Sequence, residues 1–384
     1  MIRSQPPSAP GQPPAPPLPS WRRDPPARWD PPEGAEYGYV LADGPHPCTR
    51  EELLEWVRTY PGTPAVWTPE TAGTVRPEEV PFLVEGLRSR REEEAQQRLG
   101  LAALAVLGVA GAFVLLPIVP SPTSSPGALL LAALAGFWLL DSIYALRRAK
   151  RVDAGTFAQQ RQNERHAAWA YSRPAPLTRL LAGALGAVFL AEGFAYERAV
   201  AAAGLVKEAV WAGEAWRLLT GPMLHGGLLH LGMNLAALLV LGRFVEAHAP
   251  RWRLPLVFLV AALAGSVLSL LLSPAASVGA SGGILGLVGF LGVRAGRRPA
   301  EFPDDFLHRI RYAVGATAVL GLLGFAFVDN WAHLGGLLGG AALGWLPDDG
   351  PEGKRAWTAA AGRAALAVVV AACAWAAARM LGLA

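Results

Sequence analysis

The chain has 384 residues, of which 52% are hydrophobic and only 17% charged, whereas about a quarter of the residues in an ordinary soluble protein are charged. Its apolar residues fall in long runs, and the basic residues behind the net charge of +4 flank those runs; this points to membrane orientation and away from nucleic-acid binding. Two cysteines are too few for a thiolate metal cluster, and Cys48 and Cys373 fall in segments of opposite polarity, which argues against a disulfide.

Residues 1–33 hold twelve prolines, so a tail at 1–34 is expected to be disordered or polyproline II. No apolar stretch opens the chain, so a cleavable signal peptide is not expected and insertion should begin at an internal span. Residues 35–95 change character. "EYGYVLADG", "TREELLEWVRTYPG" and "TPAVWTP" read as strand, capped helix and strand. Thr49 and Glu52 form a capping box, and Leu53, Leu54 and Val57 give the helix an apolar face. Over about fifty residues this order resembles GYF-type adaptor domains; a small α+β domain without a ligand site is the competing reading.

Nine apolar runs follow, near 99–119, 128–146, 179–196, 222–242, 254–272, 281–293, 312–328, 331–346 and 364–379. Lysines and arginines decide their direction. With the N-terminus in the cytoplasm, the inner flanks hold 23 basic residues and the outer connections four: Arg198, Lys207, Arg217 and Arg379. The expected fold is an all-α polytopic membrane protein with a small α+β cytoplasmic head. It divides into the tail, the head (35–95), a transmembrane hairpin with a basic cytoplasmic linker (96–174), a six-helix core (175–350) and a C-terminal span (351–384).

Polar groups inside a bilayer are costly and mark candidate sites. "HGGLLHLGMN" places His230 and Asn234 four apart on one helical face. On a continuous helix His225 would lie about 140° from His230. A zinc protease needs histidines at i and i+4 around a glutamate; the spacing here is five with no acid, so His230 and Asn234 read instead as donors to an oxyanion. Ser281 opens the short sixth run in "GASGG". That helix should start below the outer surface, where irregular backbone needs a covering cavity and where free N–H groups favour negative charge. His333 lies early in the eighth run, in "NWAHLGGLLGGAALG". Gly336, Gly340 and Gly344 share its face, and Gly282, Gly286 and Gly289 form a second small-residue strip beside Ser281. Two such faces approach closely and can bring a histidine base to a serine nucleophile. Packing alone is the competing reading of either strip, as is a back-bonded serine.

These stretches resemble the rhomboid intramembrane serine proteases over about residues 175–350. "GEAWRLLTGPMLHGGLLHLGMNL" is similar to that family's first outer loop and second helix, "GASGG" to its Gly-x-Ser-Gly motif, and "AHLGGLLGG" to its Ala-His-x2-Gly-x3-Gly motif. The resemblance implies a six-helix rhomboid-like core, with the hairpin and a seventh core-adjacent helix as additions. It implies a dyad of Ser281 as nucleophile and His333 as general base and acid, acting on peptide bonds in or next to substrate transmembrane helices with small residues at the cut site. The oxyanion hole would be the Ser281 backbone N–H, His230 and Asn234. His225 would be structural, Trp216 and Arg217 would fix the outer loop, and Gly279, Gly282, Gly336 and Gly340 would permit close approach. The sequence departs from many relatives at Leu285, where an aromatic residue usually packs on the histidine.

No metal or cofactor is implied. The expected partners are membrane-protein substrates and the lipid bilayer, not nucleic acid, with the head open to a cytoplasmic protein. The expected location is multi-pass in a cell membrane, the bacterial inner membrane, with the N-terminus cytoplasmic. The alternative is a catalytically silent relative that binds transmembrane helices. A transporter would show internal repeats, and none is visible.

Overall fold

The computed structural model describes residue 21, residues 31–346 apart from 42, 61, 62, 64, 72, 116–125, 194 and 325–327, and residues 355–383. The proline-rich tail therefore lies outside the described residues, except for Trp21 and residues 31–34.

The head is an antiparallel sheet with one helix against it. Strands β1 (Tyr37–Leu41), β2 (Gly44–Cys48) and β3 (Ala65–Trp67) pair in the order β2-β1-β3, with Tyr39 opposite both His46 and Val66. Helix α1 (Arg50–Thr59) starts at the capping box read from the sequence: Glu52 N–H donates to Thr49 Oγ1 at 3.2 Å, and Thr49 N–H to the Glu52 carboxylate at 2.8 Å. Leu53 and Val57 pack with Val66, Val80, Leu83 and Leu87 in a small core. β2 was not expected. Its sequence, GPHPC, carries two prolines that remove ladder donors, which a strand tolerates at a sheet edge.

Helix α2 (Pro81–Leu115) runs without a break from the head core into the first apolar run, so the boundary expected at residue 95 falls inside one helix. α3 (Pro126–Ala149) returns beside it, and Arg98 of α2 pairs with Asp141 of α3 at 2.5 Å. The basic linker is largely helical. α4 (Ala154–Tyr171) is capped by Asp153, whose carboxylate accepts the Thr156 N–H at 2.8 Å, and it turns through 77° into α5 (Pro176–Glu192). Its QQRQNER stretch has no apolar run, which is why sequence periodicity did not reveal it.

The outer connection folds into three short helices, α6 (Tyr196–Ala203), α7 (Lys207–Trp211) and α8 (Arg217–Thr220). The bundle is completed by α9 (Leu228–His248), α10 (Arg253–Leu272), α11 (Ser281–Arg297), α12 (Phe306–Leu323), α13 (Asn330–Gly344) and α14 (Arg355–Met380). Among the described residues, four segments are long and apolar enough to cross a bilayer by themselves: 81–112, 228–248, 253–272 and 359–380. α11 has 17 residues, four more than the apolar run suggested, because Arg294 and Arg297 extend it and complement its C-terminal dipole. α13 has only 15, roughly 22 Å at 1.5 Å per residue against a hydrocarbon core of about 30 Å.

The core of the bundle is apolar, with Leu185, Leu238, Leu254, Phe258, Leu287 and Leu291 fully or almost fully buried. α13 lies against both α10 and α11, and glycines set that spacing. A Cβ on Gly335 would lie 2.5 Å from the Ala264 carbonyl oxygen, and one on Gly344 would lie 2.8 Å from Val293 Cβ. Cβ atoms on Gly336 and Gly340 would overlap the backbone of Gly282 and Gly286. Both cysteines are free thiols. The apolar spans make this a multi-pass membrane protein with a small α+β head.

Candidate active site

Ser281 is the first residue of α11. The segment leading to it is held at two points: Ser277 pairs with Leu205 of the outer connection, and Gly279 N–H donates to Gly221 O at 3.2 Å. Gly279 has φ +127°, a conformation that residues with a Cβ rarely adopt. The chain thereby turns sharply into α11 and leaves Ser281 half-buried at the helix start, where the first N–H groups lack intrahelical acceptors.

His333 stands in the first turn of α13, whose N-cap is Asp329; the Asp329 carboxylate accepts the Ala332 N–H at 3.0 Å. His333 Nε2 and Ser281 Oγ lie 2.7 Å apart, 52 residues distant in sequence. The glycine contact between α11 and α13 makes that distance reachable. A Cβ on Gly282 would already sit 3.0 Å from Ala332 O, next to the histidine.

His230 and Asn234 flank the same turn from α9. A Cβ on Gly279 would meet His230 Cε1 at 2.7 Å, His230 Nε2 at 2.9 Å and Asn234 Nδ2 at 3.9 Å. Gly226 N–H donates to His230 Nδ1 at 3.2 Å, so in the neutral ring the proton sits on Nε2 and faces the turn. Asn234 is 6% exposed, and its Nδ2 has no partner among the described residues. Two donors therefore converge beside the serine.

His225 is not on the helix with His230. Pro222 and the Gly226–Gly227 pair break the run, Gly227 takes φ +132° as N-cap, and α9 starts only at Leu228. His225 is instead buried in the preceding loop, with its backbone N–H donated to the Glu192 carboxylate at 2.8 Å and its ring edge-on to His230, centroids 5.3 Å apart. Arg217 is also buried. It donates to Gly204 O and Ala201 O, both at 2.8 Å, and to Glu214 at 2.5 Å, which clamps the end of α6. Trp216 stacks under Arg217 and meets Trp375 of α14 edge-on. Gly336 and Gly340 lie on the α13 face against α11, over the backbone of Gly282 and Gly286. Leu285 sits one turn after Ser281 and is half-buried.

Sequence reasoning missed Glu192, Asp329, Lys207 and Ser269. Asp329 carried a usable signal, an acid just before an apolar helical run. Lys207 was counted only as an outer basic residue, and nothing in its local sequence marks it as buried.

The sequence profile of the Rhomboid domain matches residues 212–347, the stretch containing Trp216, Arg217, His225, His230, Asn234, Gly279, Ser281 and His333. Residues 212–347 form a rhomboid-type domain, and over this stretch the chain is similar to rhomboid proteins. It is 36% identical over 143 residues to RHOMBOID-like protein 6, mitochondrial, of Arabidopsis thaliana, covering 36% of this chain and 46% of that protein. It is 41% identical over 152 residues to Rhomboid protease GluP of Bacillus subtilis (strain 168), covering 37% and 29% respectively. Inactive RHOMBOID-like protein 8 of Arabidopsis thaliana is 30% identical over 129 residues, covering 33% and 36%. The matched stretch spans less than half the length of each of these relatives. The head and the α2–α3 hairpin lie outside the rhomboid domain match.

Proposed function

We propose that this rhomboid is an intramembrane serine protease that hydrolyses peptide bonds in or next to the transmembrane helices of membrane-protein substrates. The observation that carries the reading is the 2.7 Å contact between His333 Nε2 and Ser281 Oγ, at the start of a helix and near Asn234 Nδ2, which has no partner among the described residues. In the reaction, Ser281 Oγ attacks the substrate carbonyl carbon and passes its proton to His333 Nε2. The developing oxyanion is met by the Ser281 N–H, Asn234 Nδ2 and His230 Nε2–H; each well-aimed donor of this kind contributes about 2.7–4 kcal/mol in the transition state. His333 then gives the proton to the leaving amine. It later takes one from the water that hydrolyses the acyl-enzyme.

Gly282, Gly336 and Gly340 serve by letting α11 and α13 touch, Gly279 by turning the chain, His225 by packing its ring on His230 while its backbone N–H holds the loop to α5, and Trp216 with Arg217 by fixing the outer connection. The distribution of lysine and arginine supports a cytoplasmic N-terminus and head, with the reacting pair toward the opposite side. A second reading, a silent rhomboid that only binds transmembrane helices, draws on the relative whose name marks it inactive.

The experiment is cleavage of a generic transmembrane substrate by the purified full chain in liposomes. Ser281→Ala and His333→Ala should each abolish turnover while the protein still folds. Turnover by Ser281→Ala equal to that of the unmodified chain overturns the protease reading, and substrate capture without turnover in either form establishes the binder.

A further inference from the structure

Lys207 is the least expected charge in the outer connection. It opens α7 yet is only 4% exposed, and a buried ammonium is costly unless paired and hydrogen-bonded. Its Nζ donates to Ser269 Oγ at 2.7 Å and to Leu205 O at 3.4 Å. Ser269, on α10, is fully buried, and its hydroxyl donates in turn to the Asp329 carboxylate. The other carboxylate oxygen of Asp329 accepts the Ala332 N–H at 3.0 Å, and its carbonyl accepts the His333 N–H at 3.1 Å. One continuous chain of hydrogen bonds thus runs from the outer connection, through α10, to the turn that carries the histidine.

We propose that Lys207, Ser269 and Asp329 form a positioning relay that fixes the first turn of α13 and thereby sets the reach of His333 toward Ser281. The inference rests on the proteolytic reading above. Its physical basis is that helix ends fray and are held by their caps, whereas His333 needs a defined position to take a proton from Ser281. A cap alone could be made by Asp329 with solvent. Here the cap is anchored by a buried cation from a different element, so a shift of α7 is felt at the histidine. Leu205 joins the two sites from the other side: its backbone accepts from Lys207 and also pairs with Ser277, four residues before the serine. Misplacing a reacting group by 1 Å costs on the order of 10²-fold in rate.

The test uses the full chain in liposomes, with kcat and KM for one transmembrane substrate, the rate of Ser281 labelling by a fluorophosphonate, and the thermal midpoint. Lys207→Met should lower kcat and the labelling rate at least tenfold while KM stays within about twofold, and Lys207→Arg should recover most of the loss. The double variant Lys207→Met/Asp329→Asn should be no slower than the worse single variant, because both break one chain. If Lys207→Met does not fold, Ser269→Ala interrupts the same chain with a smaller change, and the same split is expected. An unchanged kcat in these variants overturns the relay. So does a loss that follows the thermal midpoint and is not recovered by arginine, which marks Lys207 as structural only. Absence of Ser281-dependent turnover by the unmodified chain removes the proteolytic reading, and the relay with it.

Discussion

In the proposed mechanism, Gly279→Ala separates the oxyanion donors from the dyad. Gly279 has φ +127°, so an added methyl group strains the backbone by about 1–3 kcal/mol. It would also stand 2.7 Å from His230 Cε1 and 2.9 Å from Nε2, closer than any relaxed carbon contact of roughly 3.5 Å. The imidazole must therefore retreat by several tenths of an ångström or rotate, and its donor leaves the oxyanion. Losing one such donor costs about 2.7–4 kcal/mol, or 10²–10³ in kcat. The dyad itself is on the far side of the turn, with Ser281 Oγ still within 2.7 Å of His333 Nε2. Liposome cleavage should accordingly show kcat reduced by about 10²–10³ with KM little changed. The thermal midpoint should fall as expected for about 1–3 kcal/mol of strain. Gly282→Ala tests the other half of the site: its methyl group would press on Ala332 O at 3.0 Å, beside His333, and not on His230. Retention of kcat within threefold by a folded Gly279→Ala protein would refute the assignment of His230 as a donor.

Asn234→Ala removes a buried amide whose Nδ2 has no partner among the described residues and should lower kcat about 10²-fold with little loss of stability, read by cleavage and by thermal melting. Arg217→Ala strips the carbonyls of Gly204 and Ala201 of a charged donor; at about 1.5–3 kcal/mol for such a bond, the thermal midpoint should drop and cleavage fall in step with it. EDTA should leave the rate unchanged, since among the described residues no three His, Cys, Asp or Glu side chains are grouped to hold a metal ion; inhibition would revive metal chemistry. In the head, burial and then the Glu52 carboxylate push the Cys48 thiol up to about 11, so at pH 8 only about a thousandth is thiolate. Iodoacetamide at that pH should modify Cys48 far more slowly in the folded chain than after denaturation, and equal rates would contradict its partly buried setting.

The parts of this molecule legible in its sequence are those set by short-range pattern. The capping box at Thr49 and Glu52, the apolar runs and the two glycine strips depend on spacings of three, four or seven residues, and helical geometry converts those spacings directly into faces. The meeting of Ser281 with His333 was legible for the same reason, since each sits beside a small-residue strip that allows close approach. His225 escaped because an apolar run hides where a helix begins. "GPMLHGG" has the hydropathy of a span, but Pro222 and Gly227 give it a loop conformation, and a helical angle computed through it has no meaning. α4 escaped for the opposite reason, being a helix with too few apolar residues to produce a period.

Lys207 and Ser269 represent a different limit. Neither has a local pattern, because what buries Lys207 is α10, sixty residues further along, and what gives Ser269 its role is Asp329, sixty residues beyond that. A sequence treats a lysine in an outer loop as a topological marker, and for the sign of the loop that is sound. Once the loop folds back onto the bundle, the same charge needs internal partners, and those available lead to the histidine. The glycine strips decide how near α13 comes to α11. They leave open how the first turn of α13 is set along and around its axis, and the contacts of Asp329 are made at that turn. Close approach and anchored approach are separate requirements, and in this chain they are met by different residues, the first on the helix faces and the second at the helix end.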